Sequence, residues 1–239
     1  QFTLFQPPGD TSTTTTTNGV TSTVSTAITR NRLLRLNADG TLDPTYAPNV
    51  INGTVLALAL QSDGRLVVGG SFIGIQNVGD ATWTLRKYAA RLGTDGKLDP
   101  AFNLDLNEIN GNRVDSLAIQ RVGTEDKVIL GGSFVSLAPN GGPRVAANHY
   151  VRLNAVGTVD TAFAPGAGGA SGGQIAAMAQ QADGKIVAVG TFSDIGGTRT
   201  TNVARFFAEG TADSTFSSAL DADGPVAAVL HRPDTAPVT

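Results

Sequence analysis

The sequence predicts an all-β fold made of repeated antiparallel sheets, and three observations carry the prediction. Two phrases alternate along the 239 residues. One reads RLNADGTLDPTY at 35–46, RLGTDGKLDPAF at 91–102, RLNAVGTVDTAF at 152–163 and RFFAEGTADSTF at 205–216. The other reads VLALALQSDGRLVVGGSF at 55–72, recurs in weaker form at 114–134 and 175–192, and begins an unfinished copy at Val226. The second observation is the period. Arg35, Arg91, Arg152 and Arg205 stand 56, 61 and 53 residues apart, which is longer than most helical repeats and near the length of one propeller blade. Third, the apolar runs VLALAL, RLVVGG, KVILGG and KIVAVG are short and bounded by Gly and Asp. They are too short for helices and apolar on both faces, as strands covered on two sides are.

Within each repeat, Asp63-Gly64 and Asp183-Gly184 fall between two apolar runs, and the glycine accepts the positive φ of a tight hairpin turn. Asp39-Gly40 and Asp95-Gly96 give the same signal inside the Arg-Leu phrase. Each repeat therefore holds two hairpins, about four strands, with no helix between copies. Such sheets pack radially as the blades of a β-propeller. One domain is expected, with repeats near 1–54, 55–113, 114–174 and 175–225, a partial copy at 226–239 and a Thr-rich insert at 6–30. A chain of this length can bury a β core as one unit.

At the N-terminal side, Thr11 to Thr17 is nearly pure Thr and Val20 to Thr29 alternates Val, Ile or Ala with Thr or Ser. The second stretch suits a pleated edge, and the first has too little apolar surface to fold by itself. A mobile polar loop leading into an edge strand is the expectation, as is a flexible loop at Gly166 to Gly173. Placing Val226 on Ile175 puts Thr239 on Ala188 and Phe2 in the column of Phe72, Phe134 and Phe192, leaving two repeat positions unoccupied. The chain thus reads as about four repeats cut inside a blade. A piece of a longer array is favoured over closure on itself, and completion of the split blade by a neighbouring copy is a third reading.

Composition removes several function classes. Lys and Arg number 17 against 20 acids, a net charge of -3, which lacks the basic field that nucleic acid requires. There is no cysteine for disulfides or thiolate metal sites. No apolar run approaches the roughly 20 residues of a membrane-spanning helix, and Gln1 reads as a cut end with any export signal outside the chain.

The combination DGxLDxxF, an apolar strand, QxDGKIxVGGxF and then ARLxxDG resembles the delta-60 type repeat of bacterial proteins. The resemblance spans nearly the whole chain apart from the Thr-rich insert. It implies a β-propeller in an exported or surface-associated protein and brings no reaction, cofactor or ligand with it. Val156, Glu209, Glu125-Asp126 and Thr235 depart from its turn columns.

Of the 20 acids, 11 belong to repeat columns and read as turn residues that satisfy nearby backbone N–H groups. A catalytic or binding carboxylate should instead appear in one repeat and break the pattern. The off-pattern acids are Asp10, Asp80, Asp105, Glu108, Asp115, Asp126, Asp194, Asp221 and Asp223, and they show no paired spacing. His149 and His231 lie in strand-like runs, no GxSxG elbow occurs, and Ser71 and Ser133 belong to the GGSF column. No cofactor is expected. Asn37, Asp39, Thr41 and Asp43 have the alternate oxygens of a Ca2+ loop, but later copies bring in Lys97 and Val156, so a turn is the simpler reading. Each repeat Arg stands eight residues before an Asp, a spacing that places an ion pair across a hairpin, while the phenylalanine columns and Tyr46 fill the space between blades. The functional expectation is a non-catalytic structural or interaction module of an extracellular or cell-surface assembly. Its partners are other proteins or copies of itself, in a fibre or ring. The alternative is a carbohydrate-binding or glycan-active propeller, for which Trp83 and Tyr88 are the ligand contacts.

Overall fold

The computed structural model describes residues 31–106, 112–163, 169–217 and 222–231, together with the backbone at 4–5, 13–17, 20–24 and 28–29. Three blades follow one another. Each is an antiparallel sheet of inner, middle and outer strands: Val55–Leu60, Leu66–Gly70 and Ala89–Leu92 in the first; Val114–Val122, Glu125–Gly132 and Tyr150–Leu153 in the second; Ile175–Gln180, Ile186–Gly190 and Val203–Phe206 in the third. The inner strand of each blade packs on the inner strand of the next. The outer hairpin of a preceding blade stands in front of them, with Leu33 and Tyr46 packed against Val68, Ala90 and Leu92 of the first blade. After the third blade, 222–231 runs alongside without a strand ladder; the Val226 amide donates to the Gly190 carbonyl at 3.0 Å.

The fourth strand of each blade is shorter than expected. It consists of single bridges, Leu36 with Leu42, Leu92 with Leu98, Leu153 with Val159 and Phe206 with Ala212. The repeat aspartate ends the ladder, because its carboxylate accepts the amide two residues on: Thr45 from Asp43 at 2.9 Å, Ala101 from Asp99 at 2.9 Å, Ala162 from Asp160 at 3.1 Å and Thr215 from Asp213 at 3.1 Å. A side chain that takes over a backbone donor turns the chain away from the sheet.

The first hairpin of the second blade also departs from its sequence column. Pairing runs on to Val122 opposite Glu125, so the chain turns at Gly123 and Thr124, and Glu125 and Asp126 belong to the strand. Gly123, with φ at 61°, supplies the left-handed conformation that the shifted turn needs. The Thr tract is a second correction. Thr13–Thr17 is paired antiparallel to Val20–Val24 rather than forming a loop, as a β-branched run facing another can do. Ile28–Thr29 pairs with Leu4–Phe5, which leaves 25–27 of the expected edge strand outside the described residues. Ala170–Ser171, inside the glycine-rich stretch, is likewise a strand, paired with Asp194–Ile195.

Packing between blades is large against small. The trailing face of the first blade carries Ala57, Ala59, Gly69 and Ala89, and the leading face of the second carries Leu117, Ile119, Val128 and Leu130. A Cβ on Gly69 would come 2.6 Å from Val114 Cγ1, and one on Gly131 would come 2.8 Å from Ile175 Cγ2. The GG of the repeated phrase is thus the seat of the next blade's inner strand. Phe72, Phe134 and Phe192 are fully buried in successive interfaces.

At the turn end of the blades a second device repeats. Each arginine Nε donates to the aspartate eight residues on, at 2.9 Å for Arg35 and Asp43, 3.0 Å for Arg91 and Asp99, 2.8 Å for Arg152 and Asp160, and 3.0 Å for Arg205 and Asp213. Each guanidinium also lies over its own repeat's aromatic ring, Tyr46, Phe102, Phe163 or Phe216, at 4.2 to 4.8 Å. The arginine then reaches the following repeat: Arg35 donates to the Thr94 carbonyl at 2.7 Å, Arg91 to that of Ala155, and Arg152 to that of Ala208 at 2.6 Å.

Two substitutions test this packing. Phe134→Ala should lower unfolding free energy by about 3–5 kcal/mol, because it opens a cavity at a fully closed interface. Arg152→Met should cost about 3–5 kcal/mol, because it leaves the Asp160 carboxylate buried beside an apolar chain. Urea titrations of both variants against the native chain measure these values.

Candidate functional site

The end of the blades away from the Asp-Gly turns carries two backbone irregularities that recur with the repeat. The first is a bulge at the start of each inner strand, where the register shifts between Val55 and Ala57, Val114 and Ser116, and Ile175 and Ala177. The extra residue is Leu56, Asp115 or Ala176, and a bulge re-aims its side chain out of the alternating pattern. The second is a left-handed residue just before each outer strand: Arg32 at φ 71°, Tyr88 at 66°, His149 at 74° and Asn202 at 65°. Non-glycine residues hold this conformation only where the surroundings fix it. Here the amide of Tyr88, His149 and Asn202 donates to the carbonyl of Phe72, Phe134 and Phe192, and the carbonyl of each accepts from the amide of Gly70, Gly132 and Gly190. The geometry is constant while the side chain changes.

Both irregularities meet in a cleft of about 580 Å3 between the first and second blades. Leu56, Ile73 and Tyr88 of the first blade and Asn112, Arg113 and Asp115 of the second are among the residues that line it. Asn112 is 4% exposed, and its Nδ2 has no hydrogen-bond partner among the described residues. The Asp115 Oδ1 accepts from Arg113 Nε at 2.5 Å, while its buried Oδ2 has no partner among the described residues. Burial pushes the Asp115 carboxyl above the usual carboxylate range, opposed by the Arg113 hydrogen bond and charge. In the equivalent place between the second and third blades, Gly173 stands for Asn112, Ala176 for Asp115 and His149 for Tyr88. His149 is half-buried, with its pKa pulled down by burial and its Nδ1 3.2 Å from the Gly132 carbonyl.

The two residues singled out as ligand contacts are therefore separated. Tyr88 lines the cleft. Trp83 does not; its ring covers Gly74, where an added Cβ would lie 2.3 Å from Cε3, on the small sheet formed by Asn49–Ile51, Gly74–Gln76 and Thr84–Leu85. The remaining off-pattern acids have local tasks. Asp126 binds Arg121 at 2.8 Å and the Ser62 amide at 2.5 Å, Asp105 binds Arg144 and Lys87, Asp80 accepts from Asn77, and Asp194 accepts from the Gly197 amide. Asp223 is exposed, and Asp10, Glu108 and Asp221 lie outside the described residues. In the stretch considered for Ca2+, Asp39 accepts from the amide and hydroxyl of Thr41, and Asp43 is engaged by Arg35 and Thr45. Among the described residues no three His, Asp or Glu side chains come together as metal ligands. Ser71 and Ser133 accept the amides of Thr54 and Arg113, so both hydroxyls fasten the start of an inner strand.

The bulge and left-handed columns escaped the sequence because no residue type marks them. Asp115 was visible there as an off-pattern acid, yet its burial and its neighbours arise only when the blades pack.

A family model described as a beta-propeller domain of unknown function, DUF5122, matches residues 14–46, 61–102, 126–163 and 181–216, together more than half of the chain. No curated protein and no solved structure matches.

Asp115→Asn tests the electrostatics of the cleft. A carboxyl whose pKa is raised by folding makes its ionised form a cost in the folded state, and that cost fades as the pH falls through the raised value toward the ordinary value of about 4. The variant should melt above the native chain near neutral pH, and the gain should shrink near pH 4. Paired melting curves at the two pH values measure the difference.

Proposed function

Since the chain belongs to the DUF5122 beta-propeller family, whose repeat is the delta-60 type, we propose that it serves as a non-catalytic structural and interaction module of a bacterial extracellular or cell-surface assembly. It associates blade face to blade face with copies of itself. The extracellular setting rests on the resemblance to exported repeat proteins. The non-catalytic reading is supported by the acids of the described residues, most of which the turns and local ion pairs absorb, Asp115 and the exposed Asp223 apart.

The association rests on one observation. Leu58 and Leu60, on the leading face of the first blade, are 51% and 66% exposed, whereas their counterparts Leu117 and Ile119 pack into the interface with the preceding blade. The inner-strand part of this face is thus open to solvent, while Leu33 and Tyr46 cover its outer part. The trailing face of the third blade carries Ala177 and Ala179, both half-buried, with Val189 in the place of Gly69 and Gly131 and with 222–231 running alongside. The buried Gln181 Oε1 of this blade has no partner among the described residues, while the corresponding Gln120 accepts from Arg152 at 2.7 Å. A leucine face meeting an alanine face resembles the contact between the first and second blades, where Leu117 and Ile119 pack on the side that carries Ala57 and Ala59. Such a contact is head-to-tail, and it propagates unless the rotation closes a ring.

Light scattering after size-exclusion chromatography tests the proposal. The native chain should form species that grow with concentration, and the double variant Leu58→Lys, Leu60→Lys should stay monomeric with unchanged circular dichroism. A native chain that is monomeric at every concentration would overturn it.

A further inference from the structure

We propose that the cleft between the first and second blades is a binding site for a neutral polyhydroxylated ligand of mono- or disaccharide size, held by Asn112 and Asp115 against Tyr88. The inference is independent of association between blade faces, because Leu58 and Leu60 do not line the cleft.

Four features of the site point to this chemistry. The first is an unused donor and an unused acceptor on two residues that line the cleft: Asn112 Nδ2 and Asp115 Oδ2 are both buried, and neither has a partner among the described residues. A buried polar group left unpaired costs folding free energy, so a chain that keeps two of them in one cleft gains by pairing them with something. The second feature is charge. Arg113 and Asp115 are joined at 2.5 Å, so a cationic ligand drawn to the carboxylate meets the guanidinium, and an anionic ligand drawn to the guanidinium meets the carboxylate. A hydroxyl group carries no charge and both donates and accepts, and two adjacent hydroxyls can take the Asn112 N–H and give a proton to Asp115 Oδ2 at once. The third is the apolar share of the lining. Tyr88, Leu56 and Ile73 offer apolar surface of the kind that the C–H face of a pyranose covers, while the polar lining residues meet its hydroxyls. The fourth is size, since about 580 Å3 lies inside the roughly 300–1,000 Å3 of small-molecule pockets.

The backbone gives the site its placement. Asp115 is the bulge residue and Tyr88 the left-handed residue, so the two contacts stand on fixed irregularities of rigid strands rather than on a loop. The scaffold does not itself need these side chains there, because the next interface has glycine and alanine in the positions of Asn112 and Asp115.

Saturation-transfer NMR on the full chain with D-glucose, D-galactose, D-mannose and N-acetyl-D-glucosamine, each titrated separately, tests the proposal. At least one sugar should bind. Asn112→Ala and Asp115→Asn should each weaken it about tenfold or more, the loss of one hydrogen bond to a charged or buried group, with melting temperatures showing that both variants are folded. Trp83→Ala should leave binding intact. Any one of these results would overturn the proposal: no sugar binds, binding survives both cleft variants, binding is lost with Trp83, or ethanolamine or acetate binds better than every sugar.

Discussion

The arginine at the turn end of each blade is the interaction on which the array depends. Its Nε is committed to an aspartate of its own blade, its face to the aromatic ring that follows, and another N–H to a carbonyl of the next repeat. The turn glycine of that next repeat closes the other side of the ring, since a Cβ on Gly96 would lie 3.0 Å from Tyr46, on Gly157 2.9 Å from Phe102 and on Gly210 2.7 Å from Phe163. Arg91 and Arg152 are almost fully buried. A buried guanidinium is tolerable only when its donors are taken and a carboxylate balances it; the carboxylate comes from its own blade, but the donors are all taken only while two repeats are in contact. The clasp therefore converts a sequence period into a physical linkage. Its reach is set by eight residues within one blade and by a single turn of the next, so the spacing between arginines can vary from 53 to 61 residues without disturbing it. The variation is taken up in the segment before each inner strand, in the longer first hairpin of the second blade and in the small outer sheets.

The two ends of the blades obey different rules. At the turn end, residue type is fixed because each side chain has several partners. At the other end the backbone is fixed and the residue is free. The left-handed residue is held by two main-chain hydrogen bonds that close around the GGSF segment, so the conformation survives whether the position holds Tyr, His or Asn. The bulge is likewise defined by main-chain register, whether it presents Leu, Asp or Ala. A scaffold that releases side chains from structural duty at fixed, unusual backbone positions can change its surface chemistry one blade at a time.

That asymmetry explains what could be read in the sequence. The arginine and aspartate spacing, the aromatic columns and the Asp-Gly turns were legible because their chemistry requires particular residues. The shortened fourth strand was not, since the aspartate that marks the turn also ends the ladder through a side-chain bond that spacing alone does not show. The shifted turn of the second blade was hidden because Glu125-Asp126 occupies the expected column while Gly123 serves the backbone two residues earlier. Arg32, Tyr88, His149 and Asn202 share no property that a column would reveal. Tyr88 drew attention as an aromatic residue near Trp83, but the fold aims it into a different place from its neighbour.

A repeat protein also supplies its own comparison set. Asp126 and Asp115 both break the pattern of their blade, and the repeat alone does not rank them. Asp126 is answered by Arg121 and the Ser62 amide, so its departure is compensated by the strand it extends. Asp115 is answered on one oxygen and left bare on the other, next to an asparagine left bare as well. The same backbone one interface later accommodates alanine and glycine in their places. Folding therefore has a cheaper solution at these two positions, and it is present in the same chain. A polar group whose burial the fold neither requires nor compensates is held there by something other than folding, which is why the off-pattern acid with a missing partner, rather than the most conspicuous aromatic, marks the site.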